Sequence, residues 1–577
     1  MSAIEQPLPC ATLIELARYR AATHPRRKAF TFLRNGETPA AHLGFRELDV
    51  QARRIAARLQ QHFKPGDRVL LAYASGLEFI PALFGCLYAG VVAVLAPPPS
   101  SSTEVARLKR IVDGSGAVGL CSGTAGFNIG HLGLSAPRLH KHLRCITTTD
   151  DADAPPPEAW TEPDVGPDSL ALLLHTSGST GPSRGVMVSH ARVLHNQRLI
   201  QQALHTSPRT RSLSWLAPHH DMGLMAHVMQ PLYLGITSVL MSTAAFIAKP
   251  VRWLQALTDQ GATISGGPNF AYELCIRRIT GDQMRTLDLS RWEVAFNGGE
   301  LVRPETLERF ADKFAPYGFR REAFTTCYGM AEATLLVSAT PTSSFPEVRH
   351  LDGDQLQQHR AQPATEGTRN LRSIVSCGHA PQQKVLIVNP ETRAPCPAGA
   401  VGEVWIQGDC LASGYCNDPK ATRSTFQAQL ADSRDGTYLR TGDLGFMHEG
   451  QLYVTGRLDD LVFVGGRHYY PNDIEDAVRD SHHALREGKS AAFSVGSLDN
   501  SRLVVLHELQ RRQWRRVPHA DVKNAAQSAV LAGFGVDLQQ MIFLPEGTLP
   551  HTSSGKIRRI ASREAFIGNA LSNAIRA

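Results

Sequence analysis

Thr176-Ser177-Gly178-Ser179-Thr180-Gly181-Pro182-Ser183-Arg184-Gly185 is a run of small residues, crowded with hydroxyls and closed by a cation. The apolar run Leu170 to Leu174 precedes it and reads as a buried strand. A second apolar segment, Val186 to Val188, follows. Gly178, Gly181 and Gly185 allow the backbone to bend sharply and to approach a ligand closely. The amide N–H groups, with the hydroxyls of Thr176, Ser177, Ser179 and Thr180, form a concave donor surface suited to an anion. Arg184 adds a permanent charge that grips phosphate oxygens. The Gly-Lys-Ser/Thr ending of a Walker loop is missing. A flexible Ser/Gly linker is the plain alternative, but linkers rarely stand between a buried strand and a second apolar segment.

Outward from this loop, apolar strands at 69–72, 91–95, 170–174 and 238–241 alternate with helical patterns. One helix is predicted over 191–204, with Ser189 as its N-cap. Such alternation predicts an α/β architecture with largely parallel sheets. Short linkers are expected at 151–157 and 395–399, and no solenoid repeat is visible. A chain of 577 residues holds more than one domain, about four by simple length division. With 42% hydrophobic and 20% charged residues it reads as a soluble globular protein, and its net charge of +7 is too modest to argue for nucleic acid. Ten cysteines contain no Cys-x-x-Cys pair, which points away from a zinc site or a disulfide framework and toward a reducing cytoplasm. Met1 to Arg27 lacks the pattern of a signal peptide. The uncharged stretch 79–97 is long enough to span a bilayer, but Pro81, Gly85 and Gly90 interrupt it. A buried helix to Ala89, a stop at Gly90 and a buried strand 91–95 account for it better than a stable membrane insertion.

Four further segments carry residues suited to nucleotide chemistry. In Asn297-Gly298-Gly299-Glu300 two glycines permit approach to a flat base. In Cys327-Tyr328-Gly329-Met330-Ala331-Glu332-Ala333-Thr334, Tyr328 offers a stacking face and Glu332 a hard oxygen ligand for Mg²⁺. In Tyr438-Leu439-Arg440-Thr441-Gly442-Asp443-Leu444-Gly445, the Asp443 carboxylate can accept both ribose hydroxyls. In Leu549-Pro550-His551-Thr552-Ser553-Ser554-Gly555-Lys556-Ile557-Arg558-Arg559, Lys556 is a point charge on a loop. Singly, each has a bland reading as a turn, a first-turn acid or a solvated surface charge.

Together with the 176–185 loop, these segments resemble the adenylate-forming superfamily of acyl-CoA synthetases, nonribosomal peptide adenylation domains and luciferases. The resemblance runs from about Thr12 to Arg559. It implies a large N-terminal domain over 1–457, built of packed mixed or parallel sheets with flanking helices. It also implies a small mobile α+β C-terminal domain over 458–577, hinged near Asp459. The implied cofactors are ATP and Mg²⁺. The nucleotide would be held by Thr176, Ser177, Gly178, Ser179, Thr180, Gly181, Arg184, Asn297, Gly298, Gly299, Tyr328, Gly329, Met330, Ala331, Asp443 and Arg457, and the metal by Glu332. Lys556 would bridge the acyl carboxylate and the α-phosphate, with His220 beside them. His219-His220-Asp221 also has metal-ligand residue types, but adjacent histidines do not easily face one ion. Ser183-Arg184 stands where the family usually has Pro-Lys, Gly299 and Leu301 are mild departures, and Gly465 stands where an arginine is common.

Segments 215–224, 265–272, 297–304, 327–338 and 481–495 resemble fatty acyl-AMP ligases in particular. The polar, irregular stretch 343–372 falls where that branch carries an insertion thought to restrain the C-terminal domain and disfavour coenzyme A. An apolar pocket from 222–233 and 264–272, including Met222, Gly223, Ser265 and Gly266, suits a medium or long acyl chain. The implied reaction makes acyl-AMP and pyrophosphate, then passes the acyl group to a phosphopantetheine thiol. That thiol would belong to a separate acyl carrier protein or to a polyketide or nonribosomal peptide synthase carrier domain, since the chain ends soon after the lysine loop. A long-chain acyl-CoA ligase is the alternative. A non-catalytic adenylate- or acyl-binding protein is another, but it predicts loss of Lys556 or Glu332, and both are present. The basic run 511–516 is either a docking face for an acidic carrier or a solvated surface.

Overall fold

A computed structural model describes residues 8–99, 102–123, 143–148, 155–175, 184–432, 435–496, 501–514, 516–551 and 556–571. Two parallel-rich sheets form the body among them. One has six strands in the spatial order Arg144–Thr147, Gly119–Ser122, Arg68–Ala72, Val92–Ala96, Leu170–His175 and Gly185–Ser189. Its pairings are parallel until the last, where Leu170–His175 meets Gly185–Ser189 antiparallel and His175 stands opposite Gly185. The two strands that flank residues 176–184 thus lie side by side, joined at that residue pair. The strand Leu170–His175 is apolar along both faces, and Ala171 to Leu174 are buried in succession, as in a sheet covered on both sides.

The second sheet has eight strands in the order Leu336–Ala339, Phe324–Gly329, Val294–Gly298, Ile264–Gly267, Ser212–Ser214, Ser238–Met241, Lys28–Arg34 and Thr38–Gly44. Its interior pairs are parallel and its two edge pairs antiparallel. On one face lies an aromatic core in which Trp253 meets Trp292 edge-to-face at 5.3 Å and Tyr272 meets Phe310 at 5.1 Å. Burying each such ring contributes about 2–3 kcal/mol. The strands Val294–Gly298 and Phe324–Gly329 end side by side, with Gly298 opposite Cys327. Both glycine-containing segments expected at the base therefore emerge from one sheet edge.

The 79–97 stretch forms the buried helix Phe79–Tyr88 and the strand Val92–Ala96, with Gly90 at φ 71° between them. Among the described residues no helix is long and apolar enough to cross a membrane. The helix after the hairpin runs His190–Ala203, and the Ser189 hydroxyl caps it by accepting from the Arg192 amide at 3.4 Å. Of the expected linker at 151–157, residues 151–154 lie outside the described residues.

The 343–372 stretch is more ordered than its composition suggests. Val348–Asp352 pairs antiparallel with Leu371–Val375, with a short helix Gly353–Leu356 between them. Leu351, Leu356 and Ile374 anchor it by joining Leu444, Phe446, Tyr453 and Tyr470 in one buried cluster. A separate, smaller C-terminal domain contains the strands Ser490–Val495, Arg502–Leu509 and Gln540–Pro545, covered by helices Pro471–Ser481 and His519–Phe534. Two ion pairs tie its first helix to the larger body: Arg303 to Asp476 at 2.7 Å and Arg372 to Asp473 at 3.0 Å.

Candidate active site

The site lies at the ends of the second sheet's strands. Asn297 is fully buried, and its Nδ2 donates to Asn269 Oδ1 at 3.3 Å. A Cβ on Gly298 would stand 2.5 Å from the Cys327 carbonyl oxygen, so the two strand ends approach too closely for any side chain there. Gly299 adopts φ +81°, and a Cβ would meet Met222 Cε at 2.9 Å. The expected base segment and the start of the expected acyl segment are therefore in contact.

Tyr328 and Arg457 converge on Asp443. The Tyr328 hydroxyl donates to Asp443 Oδ2 at 2.7 Å, and Arg457 Nε donates to Oδ1 at 2.8 Å. Burial and the neighbouring carboxylate push the Tyr328 phenol well above its ordinary value. Asp443 raises the Arg457 guanidinium further, so that charge is permanent. Antiparallel pairing brings Asp443 opposite Arg457.

Met330 and Ala331 lead into the short turn Ala331–Ala333, in which Glu332 is buried. Burial raises the Glu332 carboxyl, while the Tyr415 hydroxyl, which donates to Oε1 at 2.8 Å, works to lower it. Thr334 closes the turn at φ 67°, a costly conformation for a β-branched residue, held by its hydroxyl on the Cys410 carbonyl at 2.7 Å. Arg184 lies 5.2 Å over the Tyr415 ring and pairs with Asp418 at 3.4 Å. Sequence reasoning missed Tyr415. It lies in Gly414-Tyr415-Cys416, whose backbone runs beside the 185–189 strand, with Met187 N donating to the Gly414 carbonyl at 2.9 Å. Thr176, Ser177, Gly178, Ser179, Thr180 and Gly181 lie outside the described residues, as do 552–555 and Arg515.

His220 Nδ1 contacts Asp221 Oδ1 at 2.6 Å, and the Met222 amide donates to the same oxygen at 2.7 Å. Burial works to raise the Asp221 carboxyl, but His220, the Met222 amide and the Lys556 charge outweigh it and hold the acid below its usual range. Burial, with His220 and Arg107, lowers His219 to about 4, which leaves it neutral. Among the described residues no group of three or more His, Cys, Asp or Glu is arranged to hold a metal ion. The Lys556 charge lowers the Glu300 carboxyl as well as that of Asp221. Glu300 is itself raised by burial, against the Phe270 amide that donates to it at 2.6 Å.

Three expected pocket residues are packed tightly into the protein. The Ser265 hydroxyl accepts from Trp253 Nε1 at 2.9 Å and donates to the Leu213 carbonyl at 2.7 Å. A Cβ on Gly266 would stand 2.1 Å from the Phe296 carbonyl oxygen, and one on Gly223 would stand 2.2 Å from that of Ala217. Asp459 lies exposed in the turn Leu458–Asp460, directly after the strand ending in Arg457. Gly465 and Gly466 adopt φ 60° and 78° in the two-residue turn between Val464 and Arg467. Such a turn favours glycine, which is the local reason no arginine stands at 465.

A carboxylate held from two sides by Tyr328 and Arg457, a buried glutamate in a turn beyond the strand ends and a separate smaller domain agree with the adenylate-forming enzymes that the sequence resembles. Residues 17–416 match the AMP-binding enzyme family, and residues 459–575 match the Disco-interacting protein 2-like AMP domain. The chain belongs to the AMP-binding enzyme family, in its fatty acyl-AMP ligase branch. It is 40% identical to the medium-chain-fatty-acid–acyl-carrier-protein ligase JamA of Moorena producens, over 97% of this chain and 96% of that one. It is also similar to the fatty acyl-adenylate ligase of L. pneumophila solved in complex with acyl adenylate and pyrophosphate. That similarity is 37% identity, a TM-score of 0.75 and 98% coverage of both chains. A further structure, from a study of fatty acyl-adenylate ligases of E. coli and L. pneumophila, gives a TM-score of 0.86 at 30% identity, covering 97% of this chain and 98% of that one.

Proposed function

We propose that the protein activates a medium- or long-chain fatty acid with ATP and hands the acyl group to a separate carrier protein, acting in the cytoplasm. One acid oxygen attacks the α-phosphorus, the bond to the β-phosphate bridging oxygen breaks, and pyrophosphate leaves. The carrier's phosphopantetheine thiol then attacks the acyl carbon, AMP leaves, and the thiol proton passes to solvent. Lys556 neutralises charge between the acid and the α-phosphate, where a fixed cation counts most. Asp443, oriented by Tyr328 and Arg457, accepts the ribose hydroxyls. His220, next to Asp221, borders the acyl carboxylate. Glu332 is a hard oxygen donor in a buried turn with one oxygen held by Tyr415, which fits a Mg²⁺ that takes few protein ligands and completes its shell with phosphate oxygens. Bound there, the metal would neutralise phosphate charge.

The observation that carries this reading is the Asp443 carboxylate held on separate oxygens by Tyr328 at 2.7 Å and Arg457 at 2.8 Å, at the ends of strands that bring the glycine segments together. The activity named for the Moorena relative favours a carrier thiol over coenzyme A as acceptor. The test is ATP–pyrophosphate exchange with fatty acids of graded length, followed by discharge onto a holo-carrier protein or coenzyme A. Exchange with fatty acids and transfer to the carrier alone is the expected result. Robust acyl-CoA formation would reject the acceptor, and absence of any pyrophosphate release would reject the enzyme.

A further inference from the structure

Arg559 stands three residues beyond Lys556 and opens the helix Arg559–Ile567. Its side chain is only 16% exposed. Nε and Nη2 donate to the two Glu475 oxygens at 2.7 Å each, and Nη1 donates to Asp460 Oδ2 at 3.1 Å. Nη2 also donates to Asn472 Oδ1. Glu475 is fixed in turn, since its Oε1 accepts the Ala492 amide at 2.9 Å. Asp460 is the last residue of the turn Leu458–Asp460. One guanidinium thereby ties together the turn by which the chain enters the C-terminal domain, the helix Pro471–Ser481 and the foot of the lysine loop. The neck of that loop is closed just before it, where His551 bridges to Ile557 and the Arg558 amide donates to the Pro550 carbonyl at 2.9 Å.

Stability alone does not account for this cage. Two carboxylates around one guanidinium leave a net negative charge in a site that is 6% and 12% exposed at Asp460 and Glu475. Desolvating such groups offsets most of their attraction, so apolar packing would serve the fold as well. Asp460 Oδ1 is, moreover, buried with no hydrogen-bond partner. What a planar fork on a carboxylate supplies, and apolar packing does not, is a fixed direction.

We propose that Arg559 is a positioning residue for the adenylation step: its fork on Glu475 and Asp460 fixes the direction in which the chain presents Lys556. The inference rests on the role assigned to Lys556 above.

A double-mutant cycle in the full chain tests it, with R559K, D460N, K556A and their combinations measured by pyrophosphate release and thermal melting. R559K keeps the charge but loses the fork. It should lower kcat for adenylation by about tenfold to a hundredfold, the scale of a misplaced catalytic group, with KM for ATP and acid unchanged. D460N should act in the same direction more weakly, and serves as the test if R559K does not fold. The decisive readout is non-additivity: in the K556A background, R559K or D460N should cause no further loss. An equal loss in both backgrounds, or a lowered melting temperature with unchanged kcat, would overturn the proposal. K556A adenylating at the wild-type rate would also sink it, and that variant alone would identify the lysine assignment as the failed premise.

Discussion

The Tyr415 hydroxyl donates to the Glu332 carboxylate at 2.8 Å, while the other side of the Tyr415 ring carries the Arg184 guanidinium at 5.2 Å. One phenol thus stands between the acid expected to hold the metal and the cation expected to face the phosphates. Burial favours the protonated form of Glu332, and Tyr415 opposes it. In Y415F that opposition is lost and the Glu332 carboxyl rises further. The acid limb of the adenylation pH profile should shift to higher pH, and the rate on that limb should fall roughly tenfold, the scale of one hydrogen bond to a charged group. Superimposable profiles for the two proteins would disprove the coupling.

Asp443 receives Tyr328 and Arg457 on separate oxygens. D443N keeps the shape and removes the charge. KM for ATP should rise about tenfold to a hundredfold, the cost of weakening hydrogen bonds to a charged partner, with a smaller change in kcat. An ATP titration of pyrophosphate release measures both.

Lys556 contributes charge rather than packing. K556A should slow adenylate formation by about two to three orders of magnitude, as expected for removing a fixed stabilising group. Its melting temperature should move by no more than about 2 °C, as for a surface substitution. Near-normal adenylation would refute the role.

Asp473 is raised to about 7 by burial and by Asp476 and Glu475, against the pull of Arg372 and Arg303. The folded chain therefore keeps a proton that the unfolded chain, with an ordinary aspartate, releases near pH 4. Stability from this group is present below that point and falls as pH rises toward 7. D473N should flatten this part of the stability curve and raise stability at pH 8 by roughly 1–2 kcal/mol. Denaturant titrations at several pH values would show it, and an unchanged slope would count against the assignment.

Gly465 at φ 60° sits in a turn with open space around it. G465R restores the residue common in the family but places a side chain in the left-handed region, and should cost about 1 kcal/mol of stability. Equal melting temperatures would show that the turn tolerates it.

Much of the fold was legible because its signals are local. The run 170–174 is apolar throughout because both faces of its strand are covered, and Ser189 announces the helix it caps. Motif octets marked Tyr328 and Asp443 one by one, and the family resemblance marked Arg457. The contact between Tyr328 and Asp443, 115 residues apart, is tertiary and carries no periodicity. Tyr415 escaped for the same reason: its neighbours are a turn and a strand edge, and its partner Glu332 lies 83 residues away. The insertion reads as irregular because only Leu351 is buried in the strand Val348–Asp352, so the alternation of a half-buried strand is absent. Arg559 looked like one more basic residue after the lysine. Only the folded chain brings Glu475 and Asp460 around it.

Arg303 and Arg372, far apart in sequence, hold the same helix through Asp476 and Asp473. Any reorientation of the C-terminal domain must part both contacts, and the more exposed of them, Arg303 to Asp476, is open to screening by salt. Raising ionic strength is therefore expected to loosen that hold and to speed loss of acyl-AMP to water when no carrier is present, without altering any reacting group.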